Sequence, residues 1–241
     1  MKSIINADKW QHAQDEEIEC WLGIKKKLSC EAYIKAKSDY WIKLLARVNH
    51  SQQDINQRAV LEVGNGPSGI FILAKDNPEY CICDPLNSQY QDNFPWLFDK
   101  NKVLNGKVED LDLNQKYPII FAINCIDHCD DINAFLLSLS RHLSDGGYCY
   151  LAVNTHNYNL ICKIWSRWQK IIEPHHPYQM TVSQYLNVIS QYFSVKECID
   201  IEDLIIDVNN KTTSTSLNIP SEKASNRSIF SYFDDELVGK I

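Results

Sequence analysis

The chain opens with a helical pattern of apolar and polar positions. Trp10, Gln14, Glu17 and Trp21 follow one another at intervals of four, three and four, so they share one helix face. Two aromatics on a stripe suit packing, but the Gln and Glu between them need polar partners if buried. The stripe therefore either rests on a domain surface or closes over a ligand cleft as a lid. A second helix is predicted from Cys30 to Val48.

Beyond residue 50 the pattern becomes short apolar runs ended by turn residues. Ala59–Val63 runs into Gly64, and Tyr80–Cys83 runs into Asp84. Lys102–Leu104, Pro118–Ile123 and Tyr148–Val153 follow, the last preceded by the turn Asp145-Gly146-Gly147. Helical patterns fall between them at Gly69–Lys75, near Ser88–Phe98 and at Ile132–Leu143, with a further helix near Val182–Tyr192. Ser194–Asp200 and Ser228–Phe233 read as two more strands, on either side of a polar loop at Asn209–Arg227. Strands that alternate with helices pair in parallel, because each helix carries the chain back across the sheet. The predicted fold is α/β: a doubly wound, mostly parallel, Rossmann-like sheet of seven strands, with helices on both faces and an N-terminal helical lid. Residues 1–50 would form the lid or extension, and 51–241 one compact domain.

Composition narrows the function classes. A net charge of −7 disfavours generic nucleic-acid binding, which needs a basic face. No apolar run approaches the roughly 18 residues of a membrane span, and the opening MKSIINADKW carries none that reads as a leader. The expectation is a cytoplasmic protein with reduced thiols. Nine cysteines contain no CxxC pair, and Cys125 with His128 makes one CxxH spacing without a second ligand pair, so no metal site is expected.

The strongest chemical signal is Leu61-Glu62-Val63-Gly64-Asn65-Gly66-Pro67-Ser68-Gly69, between the first strand and the next predicted helix. Glycines there allow a tight turn and a close backbone approach to a ligand, while a helix start offers free N–H groups. Gly64, Gly66 and Gly69 also satisfy the dinucleotide spacing, so the loop alone fits a nicotinamide cofactor too. Asp84, 18 residues after Gly66, ends the second strand, where an acid accepts ribose hydroxyls of either cofactor. Glu62 separates the two: an acid two residues before the first glycine suits a ligand with a cationic amino-acid end better than a pyrophosphate.

With these segments in order, the chain resembles the class I S-adenosylmethionine-dependent methyltransferases. The matching segments are LEVGNGPSG at 61–69, CDPL at 83–86, GKVEDL at 106–111, NCIDHCDD at 124–131 and RHLSDGGYCYLAV at 141–153. Ala13-Gln14 with Glu17 and Trp21, Asp84-Pro85-Leu86 and His175-His176-Pro177 further resemble a branch met in glycan and natural-product pathways. The resemblance implies S-adenosylmethionine as cofactor and a small-molecule or glycan acceptor, methylated most readily at oxygen. It implies that Glu62, Gly64 and Gly66 line the amino-acid end of the cofactor. Asp84 would hold the ribose, with Leu86 near the adenine, Val108 and Glu109 would edge the adenine ring, Asn124 and Cys125 would border the methionine part, and Asn65 and Pro85 would also bind the cofactor. Trp10, Gln14 and Trp21 would close the lid. Ser68 and Lys107 depart from the pattern, the former replacing a frequent glycine and the latter an Asp that meets the adenine amine.

A hydroxyl acceptor also needs a base, and His is best tuned for it at neutral pH. The candidates are His128, just past the fourth strand, with His176 and His175 in the loop after the fifth; each could equally be structural. Asp127 could orient a His or cap the next helix, with Asp130 and Asp131 competing for the cap. A nicotinamide-dependent oxidoreductase and a non-catalytic S-adenosylmethionine-binding protein are the alternative readings.

Overall fold

A computed structural model describes residues 7–29, 31–98, 102–156, 178, 180–201, 203–204 and 226–234, with backbone alone at 7–9, 28, 156 and 226–234. Five strands form its parallel centre: β1 (Val60–Val63), β2 (Tyr80–Asp84), β3 (Lys102–Asn105), β4 (Tyr117–Ile123) and β5 (Leu143–His156). Two more, β6 (Ser194–Asp200) and β7 (Asn226–Asp234), add antiparallel at one edge, giving the order β3-β2-β1-β4-β5-β7-β6. The order reverses at β1, between β2 and β4, and in such sheets ligands bind beyond the carboxyl ends of the strands at this switch point.

Alternation along the strands builds two cores. Val60, Ile82, Ile119, Phe121, Tyr150 and Ala152 face one side. Leu61, Val63, Cys81, Cys83, Ile120, Ala122, Cys149, Leu151 and Val153 face the other. Helix α3 (Glu31–Arg47) covers the first face with Tyr40, Trp41, Leu44 and Leu45. Helices α6 (Ile132–His142) and α7 (Val182–Ile189) cover the second with Phe135, Leu136, Leu139, Tyr185 and Ile189. Cys81, Cys83, Cys129 and Cys149 are buried free thiols of this second core. A third cluster joins α5 (Asn87–Asn93) to Ile18 and Trp21 of α1 (Ala7–Gly23) and to Tyr33 and Ile34 of α3. Among the described residues no helix is long and apolar enough to cross a membrane.

Three expectations are corrected. The helix predicted over Gly69–Lys75 is replaced by two short 3-10 turns, Gly66–Ser68 and Ile70–Leu73. Pro67 at the start of the first brings no N–H, and Gly69 between them is extended, which breaks any continuous helix. The turn Asp145-Gly146-Gly147 lies inside β5 as an irregularity of register, where Leu143 pairs with Tyr117 but Tyr148 with Ile119. The cap of α6 is Asp131, whose side chain accepts from the N–H groups of Asn133 and Ala134; Asp127 plays no such part.

The packing of α3 makes a test of its place in the core. Leu44 has no exposed surface, whereas Ile42 on the same helix is 44% exposed. Leu44→Ala should cost about 2–5 kcal/mol of unfolding free energy, and Ile42→Ala no more than about 0.5 kcal/mol, both read from urea midpoints. Similar small losses for both would mean that α3 is a detachable cover.

Candidate functional site

The cleft lies over the carboxyl ends of β1, β2 and β4 and encloses about 240 Å³. Its floor begins where β1 ends. Gly64 has φ +62°, and a Cβ there would stand 2.3 Å from the Cβ of Cys125, so only glycine lets the β1 and β4 loops approach this closely. The Gly64 N–H donates to the carbonyl of Cys83 at 2.8 Å, which ties the loop to β2.

Glu62 shapes this loop from beneath. It is buried, and its carboxylate accepts from the N–H groups of Ile70 (2.7 Å) and Phe71 (2.9 Å) and from the Tyr80 hydroxyl (2.8 Å). A Cβ at Gly69 would meet Glu62 Oε1 at 2.3 Å, so glycine is needed for the chain to pass over the carboxylate. The free N–H groups expected at a helix start are thus consumed inside the protein. Glu62 is absent from the cleft wall, contrary to the expectation that it lines the cofactor's amino-acid end. Burial raises its pKa to about 7, against the lowering effect of its three donors.

Asp84 sits at the rim of β2 with its carboxylate held from both sides. The Gly66 N–H donates to Oδ2 at 3.2 Å and the Leu86 N–H to Oδ1 at 2.8 Å. Burial lifts its pKa to about 6, the two N–H groups lower it, and the nearby Glu17 raises it. Each oxygen keeps acceptor capacity on the cleft side. Pro85 and Leu86 continue the wall, as do Val108 and Glu109 in the turn after β3. Glu109 also accepts from the Asp130 N–H at 2.8 Å. Asn65 lines the cleft, but its side-chain amide is engaged with that of Asn87 at 2.9 Å. Asn124, in the left-handed region at φ +52°, and Cys125 form the β4 side.

The helix α1 supplies the opposite wall through Trp10, Gln14, Glu17 and Trp21, the stripe read from their spacing. The Trp21 indole N–H donates to Glu17 at 2.6 Å, and the ring stands over Gly66, 3.4 Å from where a Cβ would be. Lys107 places its ammonium 3.6 Å from the Trp10 ring centroid and pairs with Asp130, so this departure from the familiar pattern joins α1 to the β4 loop.

Among the histidines, His128 reaches the cleft wall, with Nε2 3.8 Å from the buried Asp127 carboxylate. His175 and His176 lie outside the described residues. His142 serves structure, linking the end of α6 to the N–H of Leu113 at 3.0 Å. Ser68 of the glycine loop lines the cleft, and so do Lys37, Trp41, Tyr90 and Phe135, which were not singled out by motif. The available signal was Lys37 four residues before Trp41, a cation on the apolar stripe of α3.

Fold and cleft together define a class: the sheet order, the glycine loop after β1 and the acid ending β2 are those of the class I methyltransferase fold. No protein-family model matches the chain. Among solved structures, a Bacillus halodurans C-125 protein put forward as a methyltransferase superposes with a TM-score of 0.56 at 15% identity, covering 79% of this chain and 98% of that one. Coclaurine N-methyltransferase, solved with N-methylheliamine and SAH, superposes with a TM-score of 0.57 at 11% identity, over 80% of this chain and 69% of that one. In sequence the chain is similar to ubiquinone biosynthesis O-methyltransferases of Rickettsia canadensis, 22% identical over 113 residues, and Rickettsia conorii, 24% identical over 113 residues. These matches take in 45% of this chain and 48% and 39% of the relatives, so the chain spans less than half the length of either.

Glu62 carries a pH prediction. Its folded pKa of about 7 lies above the ordinary 4.5, so its contribution to stability is complete below about pH 4.5 and is lost as the pH rises towards 7. Asp84, raised to about 6, acts in the same direction over the lower part of that window. Unfolding free energy from urea titrations should therefore fall across this range. Glu62→Gln should lower stability at acid pH yet flatten the fall above pH 6. An equally steep fall in the variant would show that Glu62 is not its source.

Proposed function

We propose that the protein is an S-adenosylmethionine-dependent methyltransferase acting on a small-molecule or glycan acceptor, with transfer to oxygen. The observation that carries this reading is the Asp84 carboxylate, clamped by the N–H groups of Gly66 and Leu86 with acceptor capacity left towards the cleft. That arrangement fits a ribose diol. The left-handed Gly64 and Gly66 fit the amino-acid end, which would lie against bare backbone. Leu86 and Val108 offer apolar surface to the adenine, with Pro85 and Glu109 beside them, and Asn65, Asn124 and Cys125 border the methionine part. Glu62 contributes by shaping the loop. When bound, the sulfonium of the cofactor supplies an activated methyl group.

The residues then need mainly to align donor and acceptor and to exclude water. The α1 face of Trp10, Gln14 and Trp21 would act as the lid, as part of a helical segment over residues 1–50. An acceptor hydroxyl must lose a proton, and His128 is the described histidine at the cleft wall, able to take it on a ring nitrogen; His175 and His176 are the other candidates. The O-methyltransferase relatives in the Rickettsia species support transfer to oxygen. A nicotinamide dinucleotide is the poorer fit, because the N–H groups of Ile70 and Phe71 that would greet a pyrophosphate are bound to Glu62.

Removing the Asp84 carboxylate tests the cofactor. Asp84→Ala should weaken S-adenosylhomocysteine binding by about tenfold to a hundredfold in calorimetry, with the circular dichroism spectrum kept. A folded variant with unchanged affinity would end the reading. Deleting the residues before Leu28 tests the lid. The truncated protein should melt cooperatively but bind the same ligand more weakly; loss of cooperative melting would make α1 part of the core instead. Once an acceptor is known, His128→Ala should cut turnover by about 10²–10⁴-fold while leaving cofactor affinity unchanged, and normal turnover would move the role to another residue.

A further inference from the structure

We propose that Lys37 is the anion-binding residue of the cleft and that it takes a carboxylate group, either the cofactor's own or one carried by the acceptor. The inference rests on the methyltransferase reading for the identity of the cofactor, but its evidence is the placement of Lys37.

Helix α3 sends Trp41, Leu44 and Leu45 into the first core, and Trp41 is anchored by its indole N–H donating to the carbonyl of Ser68 at 2.9 Å. One turn earlier the same stripe reaches the cleft wall, and the residue there is Lys37. Its ammonium lies 5.7 Å from the centroid of the Trp41 ring and 6.0 Å from that of Tyr40. Those rings hold the chain in a half-buried position on the cleft side. Among the described residues no carboxylate pairs with it. The other cleft-lining lysine, Lys107, is paired with Asp130. Burial lowers the pKa of Lys37.

The acidic groups of the cleft are gathered elsewhere. Glu17 acts electrostatically on Asp84, and Glu109 stands against the Asp130 loop. The cleft is thus polarised, acidic beneath α1 and basic at Lys37. A partly desolvated ammonium without a counter-ion is costly, and a sulfonium ligand entering the same cleft would add a second positive charge. An anionic oxygen bound at Lys37 relieves both. A carboxylate fits in size and charge, and the cofactor's amino-acid end carries one. An acceptor acid would fit equally, because Trp41 beside Lys37 offers an aromatic face to its apolar part.

The test compares wild type, Lys37→Met and Lys37→Arg, all as the full chain. Calorimetry is run with S-adenosylhomocysteine and with 5′-methylthioadenosine, which keeps the nucleoside and thioether but lacks the amino-acid group. Benzoate is then titrated into each protein, with and without S-adenosylhomocysteine, and followed by tryptophan fluorescence. If the cofactor supplies the carboxylate, Lys37→Met weakens S-adenosylhomocysteine binding by about tenfold or more, Lys37→Arg restores most of it, and 5′-methylthioadenosine binds all three alike. If the acceptor supplies it, S-adenosylhomocysteine binds all three alike, whereas benzoate binds saturably to wild type and not to Lys37→Met. Binding of both probes independent of Lys37 overturns the proposal. Wild type that binds neither adenosyl compound would overturn the cofactor reading instead, and the benzoate titration of the protein without cofactor would decide for or against Lys37.

Discussion

A single buried carboxylate organises the ligand end of this sheet. Glu62 leaves β1 on the face of the first core and collects three donors, two from the backbone after the glycine loop and one from Tyr80 on β2. An acid at 2% exposure is tolerable only because those donors compensate its lost hydration. Meeting them bends the chain between Gly66 and Leu73 into two 3-10 turns rather than one helix. It also demands Gly69, since no side chain fits beside Oε1. With the loop drawn down in this way, Gly66 turns its N–H to Asp84. The acid that lines the cleft is therefore oriented by the acid buried beneath the loop.

The cleft roof and wall come from the N-terminal helices, and they are joined to the sheet by different physics. Helix α3 is held by apolar burial, with Leu44 and Leu45 fully enclosed. Helix α1 is held more lightly, through Ile18 and Trp21 packed beside α5 and through the Lys107–Trp10 contact. Exposed polar contacts contribute little to stability, so α1 is held by less than α3. Lys37 occupies the junction: the core fixes its stem on α3, while its charge faces the cleft.

Much of the architecture was legible along the chain, and the reasons are specific. The strands β1, β2 and β4 are mostly apolar runs, broken in β1 by Glu62 and ended in β2 by Asp84, because both faces are covered, and such runs stand out. The spacing of Trp10, Gln14, Glu17 and Trp21 identified the cleft face of α1 because helical periodicity survives whatever the helix packs against. The acid at the end of β2 could be placed because a parallel strand points its carboxyl end to the ligand side. That the Glu62 carboxylate is spent on the N–H groups of Ile70 and Phe71 beneath the loop could not be read from the chain, because residue spacing carries no direction beyond the strand end. Lys37 and Trp41 went unnoticed because α3 lies far from the motif segments in sequence and meets them only through packing.

The amino-acid sequence by itself determined the alternation of strands and helices, the glycine loop, the acid beyond it and the resemblance those segments share. Each is a local property, set by hydrophobic period, turn chemistry and residue order. The tertiary structure alone decided which buried polar groups satisfy one another, and so which acid serves the fold and which faces the cleft. It decided that Asp131 rather than Asp127 caps α6, that Lys107 bridges α1 to the β4 loop, and that Lys37 stands at the cleft with no carboxylate beside it among the described residues. Those outcomes depend on distances between residues far apart in the chain, and only the packing of the sheet against its helices sets them.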